Sequence, residues 1–170
     1  TIGDMLKLNM LETTNVFEKE NVRMENLISG IIDILTPKFA EKELIVEFNK
    51  NDFDYTVKAN RFLIEHVFFN IIDNAASYNT HNGRIIIENK IDGSSAQVTI
   101  KDTGIGIPEE LRERIFERFF RVDKARSRET GGTGLGLSIV KHCLEILNWD
   151  IKVRSSSGNG SEFIITIPLS

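Results

Sequence analysis

HVFFNIIDNAASYN at 66–79, read with DTGIGIP at 102–108 and GGTGLGLSIVKH at 131–142, decides the fold of this chain. In the first stretch His66, Asn70, Asn74 and Tyr78 recur every four residues. Four residues turn an α-helix by about 400°, so these side chains form one slowly drifting polar stripe. Leu63, Val67, Phe68, Ile71, Ile72 and Ala75 fall on the other side and predict a helix from Arg61 to about Tyr78 with one buried face. Asparagine is a poor helix former that favours caps and turns, so two on such a stripe are unusual. An amide oxygen is a neutral hard ligand that can coordinate Mg²⁺ without repelling a phosphate. Two exposed surface asparagines are the plain alternative.

Outward from that helix the pattern predicts an α+β domain. Ile2, Met5, Leu6 and Met10 give an approximate apolar stripe for a helix over 1–13, followed by a polar stretch from Thr13 to Asn21. Met24, Leu27, Ile28, Ile31, Leu35 and Phe39 keep the 3.6 period for a helix from about Met24 to Ala40, whose last turn must pass Pro37. Leu44–Phe48 and Tyr55–Ala59 read as short strands. Arg84–Ile91 and Ala96–Asp102 read as a pair around Asp92-Gly93. Gly134–Leu147 reads as a helix, and Asp150–Ser155 with Glu162–Pro168 as a final hairpin. Helices on one face of a mostly antiparallel sheet follow from this order.

The chain has 170 residues, 41% hydrophobic and 27% charged, the balance of one soluble domain with an ordinary core. No apolar run approaches the roughly 18 residues of a membrane span. The first residue is not Met, so a piece of a longer protein is expected, whose membrane segment can lie outside it. The single cysteine, Cys143, sits in an apolar helical pattern and reads as a buried, inert thiol. The net charge of −4 argues against general nucleic-acid binding. Seven basic residues against three acidic ones between Arg112 and Arg128 give that segment +4 and leave −8 on the rest. Such a stretch suits an anionic ligand or an acidic partner, unless it is simply a solvated face.

Asp102 closes an alternating strand and opens a turn with Gly104 and Gly106. An ionised carboxylate only accepts hydrogen bonds, so in a pocket it can take the exocyclic amino group of adenine and reject the acceptor that guanine presents there. The two glycines let backbone approach a planar base, with Ile105 and Ile107 as apolar walls. A plain loop is the alternative. Gly131-Gly132-Thr133-Gly134-Leu135-Gly136 runs into a helix start, where unpaired amides and the helix dipole favour phosphate. A hinge before a helix is the alternative there, and Leu135 and Leu137 also read as core anchors. No GxxxxGK[ST] is present, and Gly104-Ile105-Gly106-Ile107-Pro108-Glu109 breaks GxGxxG at its last position. No HExxH or CxxC suggests zinc, and nothing places Ser, His and Asp as a triad.

With these motifs in order, the sequence resembles the catalytic, ATP-binding domain of bacterial sensor histidine kinases, in the superfamily shared with DNA gyrase, Hsp90 and MutL. HVFFNIIDNAASYN resembles the N box, DTGIGIP the G1 box, IFERFFRVD at 115–123 the F box and GGTGLGLSIVK the G2 box. The resemblance covers about residues 20–170. It implies a Bergerat fold, a two-layer sandwich of about five strands in a mixed sheet under three helices, with a mobile ATP lid over about 107–133. It implies domains at 1–20, the stub of a dimerising phosphoacceptor helix, and at 21–170, the catalytic domain.

For the site, the resemblance implies that Asn74, with Asn70 beside it, holds Mg²⁺ near the phosphates. Tyr78 packs on adenine, and Asp102 reads it in a pocket shaped by Gly104, Gly106 and Ile107. Arg121 reaches the phosphates, with Lys124 and Phe120 on the same segment. Gly132, Thr133, Gly134, Leu135 and Gly136 form the phosphate side of the lid. Asn70, Asn74 and Arg121 would then serve transfer of the γ-phosphate to a histidine. Ser77 stands where many members carry a phosphate-holding lysine, so Arg121, Lys124 or Arg126 must supply that charge. Asn148-Trp149-Asp150 replaces a common Gly-Gly before the last hairpin. The phosphoacceptor box fits none of His66, His81 or His142, so the acceptor is expected on a separate dimerisation domain. A downstream response regulator, a membrane-anchored dimeric parent and a cytoplasmic location are implied with it. A serine kinase of anti-sigma type and a non-catalytic ATP-dependent interaction module remain as other readings.

Overall fold

The computed structural model describes residues 18–123 and 131–169. The expected helix over 1–13, most of the expected 1–20 stub, Lys124 and Arg126 lie outside the described residues. In chain order the elements are β1 (Glu20–Arg23), α1 (Met24–Glu41), β2 (Ile45–Phe48), β3 (Thr56–Ala59), α2 (Arg61–Ser77), β4 (Arg84–Asp92), β5 (Ser95–Asp102), α3 (Gly136–Leu147), β6 (Asp150–Ser155) and β7 (Ser161–Pro168). Five strands form one sheet in the order β2-β4-β5-β7-β6. β2 lies parallel to β4 and every other neighbour is antiparallel, so the sheet is mixed.

Alternation along the strands decides which face is covered. Ile85 and Ile87 of β4, Ala96, Val98 and Ile100 of β5, and Phe163, Ile165 and Ile167 of β7 are all buried. The residues between them, such as Glu88, Gln97 and Lys101, face outward. The helices close the inner face with Leu27, Ile31, Val67, Phe68, Ile71, Ile139 and Val140. The expected α+β arrangement of three helices and a five-stranded mixed sheet is the one found.

Three elements depart from the sequence reading. Glu20–Arg23, at the boundary between the expected polar stretch Thr13–Asn21 and the helix from Met24, is a strand that pairs antiparallel with β3 in a separate two-stranded sheet, with Val22 opposite Val57. One buried valine in four residues offers no period to read. The strand expected at Tyr55–Ala59 is found at Thr56–Ala59 and joins this small ribbon and not the main sheet. α3 starts at Gly136 and not at Gly134, because Gly134 holds φ +75°, outside the right-handed helical region. Elsewhere α1 passes Pro37 and continues to Glu41, held by the buried Leu35 and Phe39 on either side of the proline. At the other end of α3, Asn148 takes the left-handed conformation at φ 57°, and Trp149 N–H bonds the Leu144 carbonyl at 3.0 Å. Asparagine is one of the few residues that tolerate this, so it serves at a helix end where glycine is the usual choice.

Candidate functional site

Sheet register builds one end of the site. β5 sends Ala96, Val98 and Ile100 inward, so the next inward position is Asp102, at the strand's end and 7% exposed. Across the ladder Asp102 pairs with Ser161, also buried and on the same face of β7. The Gly104 amide donates to Asp102 Oδ1 at 2.8 Å. Burial pushes the carboxyl up to about 6, against the backbone amides of Gly104 and Ser161, which favour the ionised form. A Cβ at Gly104 would run into the Tyr78 carbonyl and the Asp102 carboxylate. Only glycine lets this turn lie against the end of α2, where Ile105 N–H bonds Tyr78 O at 3.1 Å. Ser155 fixes the next residues: its hydroxyl donates to Gly160 O at 2.7 Å and accepts from Ile107 N at 2.8 Å. Its one proton is then used, so Ser161 Oγ is the donor in their 2.9 Å contact.

The other end is made by α2, the segment before residue 123 and the start of α3. Asn70 Nδ2 donates to the His66 carbonyl at 2.7 Å, one turn back in its own helix. That turns its Oδ1 toward Gly136, where an added Cβ would stand 3.1 Å away. Asn74, one turn on, has a side chain with no hydrogen-bond partner among the described residues. Arg121 donates to the Gly132 carbonyl, and its Nη2 lies 3.5 Å from the Tyr78 hydroxyl, so it joins the two ends. The Arg114 guanidinium stacks 4.4 Å over the Phe120 ring. Phe119, 59% exposed, sits at φ 63° and donates its N–H to Gly134 O at 3.0 Å. Ile107 and Ile115 are buried, so the described part of the expected lid is packed and carries two short 3-10 turns.

Between the ends lies a cavity of about 670 Å³. Asn70, Asn74, Tyr78, Asp102, Gly106, Ile107, Phe120, Arg121, Gly132, Thr133, Gly134 and Gly136 all line it. Gly104 does not; it stands behind the wall and holds Asp102. The Leu135 side chain is 1% exposed in the core, so only its backbone is placed near the cavity. Ser161 also lines the cavity and went unread, although it begins the inward series Phe163, Ile165, Ile167. Ser77 lines it too, while the nearby cations Lys38 and Arg61 are engaged by Asp73 at 2.5 Å and Glu65 at 2.8 Å. Among the described residues no three His, Cys, Asp or Glu side chains converge, so the α2 stripe offers a cation neutral amide oxygens. A ligand that donates a hydrogen bond at one end and carries negative charge at the other suits this arrangement.

Comparison with known proteins identifies the family. Residues 59–170 match the family described as histidine kinase-, DNA gyrase B-, and HSP90-like ATPase. The chain is 44% identical over 174 residues to the sensor-like histidine kinase SenX3 of Mycolicibacterium smegmatis, covering 98% of this chain and 44% of that protein. It is 36% identical over 172 residues to the sensor histidine kinase WalK of Bacillus subtilis, covering 98% and 28%. The chain thus spans less than half the length of the curated relatives it matches. Among solved structures it superposes on the catalytic domain of histidine kinase ThkA with a TM-score of 0.77 at 29% identity, over 89% of this chain and 96% of that one. It superposes equally, at 0.77 and 26% identity, on ThkA in complex with the response regulator protein TrrA, over 99% and 47%.

Proposed function

From the premise that this chain belongs to the histidine kinase-, DNA gyrase B-, and HSP90-like ATPase family, we propose that its cavity binds ATP with the base at Asp102 and the phosphates at Asn70, Asn74, Arg121 and residues 132–136. Asp102 carries this reading. It is a carboxylate buried to 7% exposure in a cavity of about 670 Å³, its Oδ1 held by a backbone amide. Its bonds come from the backbone amides of Gly104 and Ser161, which leaves carboxylate lone pairs for a donor on a ligand. The adenine amino group is such a donor. Guanine places an acceptor there and is rejected.

Mg²⁺ fits the donor set at the other end. Asn70 has spent its amide nitrogen on His66 O and Asn74 is uncommitted, so their amide oxygens would hold the ion. The ion would offset phosphate charge, and Arg121 with the amides of 132–136 adds to that. In the whole protein the γ-phosphate goes to a histidine of a separate dimerisation domain. A nitrogen–phosphorus bond forms, the bond from γ-phosphorus to the bridging oxygen breaks, ADP leaves and the imidazole proton passes to a base on that domain. Docking of that domain, a downstream response regulator, and a dimeric, membrane-anchored parent with this domain in the cytoplasm complete the proposal. The names of SenX3 and WalK and the complex of ThkA with TrrA support it.

Titration calorimetry with ATP and GTP, each with and without Mg²⁺, tests the site. ATP should bind, GTP should not, and Mg²⁺ should strengthen ATP binding. Equal binding of GTP overturns the role of Asp102. For transfer, this chain and a separately prepared histidine-bearing dimerisation domain are mixed with γ-labelled ATP. Acid-labile label is expected on the histidine domain and not on this chain; label on this chain alone overturns it.

A further inference from the structure

The carbonyls at the C-terminal end of α2 are met from other elements as well as by Asn79 N–H, which bonds Ala76 O at 3.3 Å. Lys42 Nζ, from just beyond α1, donates to Ala76 O at 3.2 Å, Ser77 O at 2.6 Å and Asn79 O at 3.1 Å. The one carbonyl of that run it leaves, Tyr78 O, takes Ile105 N–H at 3.1 Å. A helix end exposes just these carbonyls and the negative end of the dipole, and an ammonium there satisfies both. The Lys42 main chain joins in, its carbonyl accepting from Asn82 N at 2.8 Å. Asn79 extends the connection and is itself buried. Its Oδ1 accepts from Thr80 N at 2.9 Å and Thr103 Oγ1 at 3.1 Å, and its Nδ2 donates to Arg84 O at 3.0 Å. Thr103 Oγ1 in turn accepts from Arg84 N at 2.8 Å. The chain of bonds therefore runs from Lys42 to the residue between Asp102 and Gly104, yet Lys42 does not line the cavity.

We propose that Lys42 is a positioning residue for the base end of the nucleotide site. Its ammonium sets the carbonyls of the last turn of α2 so that Tyr78 O meets Ile105 N–H, and that contact holds the Asp102 turn at its working distance from Tyr78. The inference rests on the adenine reading of Asp102. It differs from a merely structural cap in what it predicts: loss at the base end with the metal and phosphate end left intact.

The test uses this 170-residue chain with Lys42→Met, Lys42→Arg and Thr103→Val, each checked for folding by circular dichroism at the assay temperature. Lys42→Met should weaken ATP and ADP by the same factor, roughly ten- to a hundredfold, the scale on which a remote misplacement acts. The ratio of affinities with and without Mg²⁺ should not change. Lys42→Arg should restore most of the binding. Thr103→Val, which removes the hydroxyl that links Asn79 Oδ1 to Arg84 N–H, should show the same pattern more weakly. Folded Lys42→Met with wild-type affinity, or with a changed Mg²⁺ ratio, overturns the proposal. If Lys42→Met does not fold, unchanged binding in Thr103→Val overturns it. A wild-type chain that binds no ATP overturns the adenine reading and this inference with it. Wild-type binding with an indifferent Lys42→Met overturns this inference alone.

Discussion

The two ends of the cavity are built differently. At the base end every contributor is fixed by regular structure. Asp102 and Ser161 are facing partners in one ladder, and Tyr78 ends a 17-residue helix. Gly104 and Ile105 are bonded to Asp102 and Tyr78. At the phosphate end Asn70 and Asn74 stand on α2, and Gly136 opens α3. Arg121, Gly132, Thr133 and Gly134 belong to irregular backbone, and Arg121 is held by Gly132 O and the Tyr78 hydroxyl. A hydrogen-bond code needs atoms fixed to a few tenths of an ångström, and a sheet register supplies that. A triphosphate needs many donors around a diffuse charge, and loop amides with an arginine can supply them.

The largest expected effect tests whether the base end holds its charge at a cost. The Asp102 carboxyl is raised from 3.8 to about 6, so its ionisation opposes folding above that range and is neutral to it below 3.8. Asp102→Asn keeps an acceptor for Gly104 N–H and removes the charge. At pH 7 it should weaken ATP binding by about 1.5–3 kcal/mol, the worth of a hydrogen bond to a charged group, and relax selection against GTP. The ligand-free chain should become more stable by up to about 3 kcal/mol, read from urea unfolding. Unchanged ATP affinity would remove the adenine role. A loss of both stability and binding would make Asp102 an ordinary structural carboxylate.

The same group predicts an acid limit for binding. As pH falls through about 6, Asp102 gains a proton and ceases to be an acceptor on that oxygen. ATP affinity should drop about tenfold, or 1.4 kcal/mol, for each pH unit below that point. Asp102→Asn should lack this component, which separates it from titration of the phosphates. Calorimetry of both chains from pH 7.5 to 5 reads the difference. Parallel profiles would place the carboxylate outside the contact.

Moving to the phosphate end, Asn74→Ala should cost ATP about 0.5–1.5 kcal/mol in the presence of Mg²⁺ and little in its absence. The Mg²⁺ dependence itself should shrink, while selection of ATP over GTP stays as it was. Binding with and without Mg²⁺ measures this directly. If discrimination between the bases changes as well, the two ends are coupled more tightly than the geometry indicates, and Arg121 is the residue that spans them.

This contrast also governs what could be read in the sequence. α1 and α2 declare themselves through the period of Leu27, Ile31, Leu35 and of Val67, Ile71, Ala75. The inward place of Asp102 follows from Ala96, Val98 and Ile100 before it. Glycine-rich turns mark the other end by composition alone. Lys42 gave no signal, since its partners lie 34 to 37 residues away and a lysine after a helix is unremarkable. Asn79 is a residue the sequence reading gives no role, yet it is buried between Thr103 and Arg84, contacts only the folded chain creates. β1 was invisible because pairing with β3, not hydrophobic pattern, makes it a strand.

The smallest expected effect concerns which glycines of 131–136 are required and for what reason. Gly134 holds φ +75° and lies against the Phe119 backbone, so alanine there meets both the left-handed penalty of about 1–2 kcal/mol and a wall that cannot yield. Gly132 has neither constraint. Its φ lies outside the left-handed region, and an added Cβ would meet only the tip of Arg121, at 3.3 Å. Arg121 is long and can shift by the few tenths of an ångström required. Gly132→Ala should therefore change thermal stability by under about 0.5 kcal/mol and lower ATP affinity only as far as Arg121 is displaced. A folded Gly132→Ala chain that has lost ATP binding altogether would mean that the ligand's own atoms need the space at Gly132. The phosphate end would then be as sterically defined as the base end.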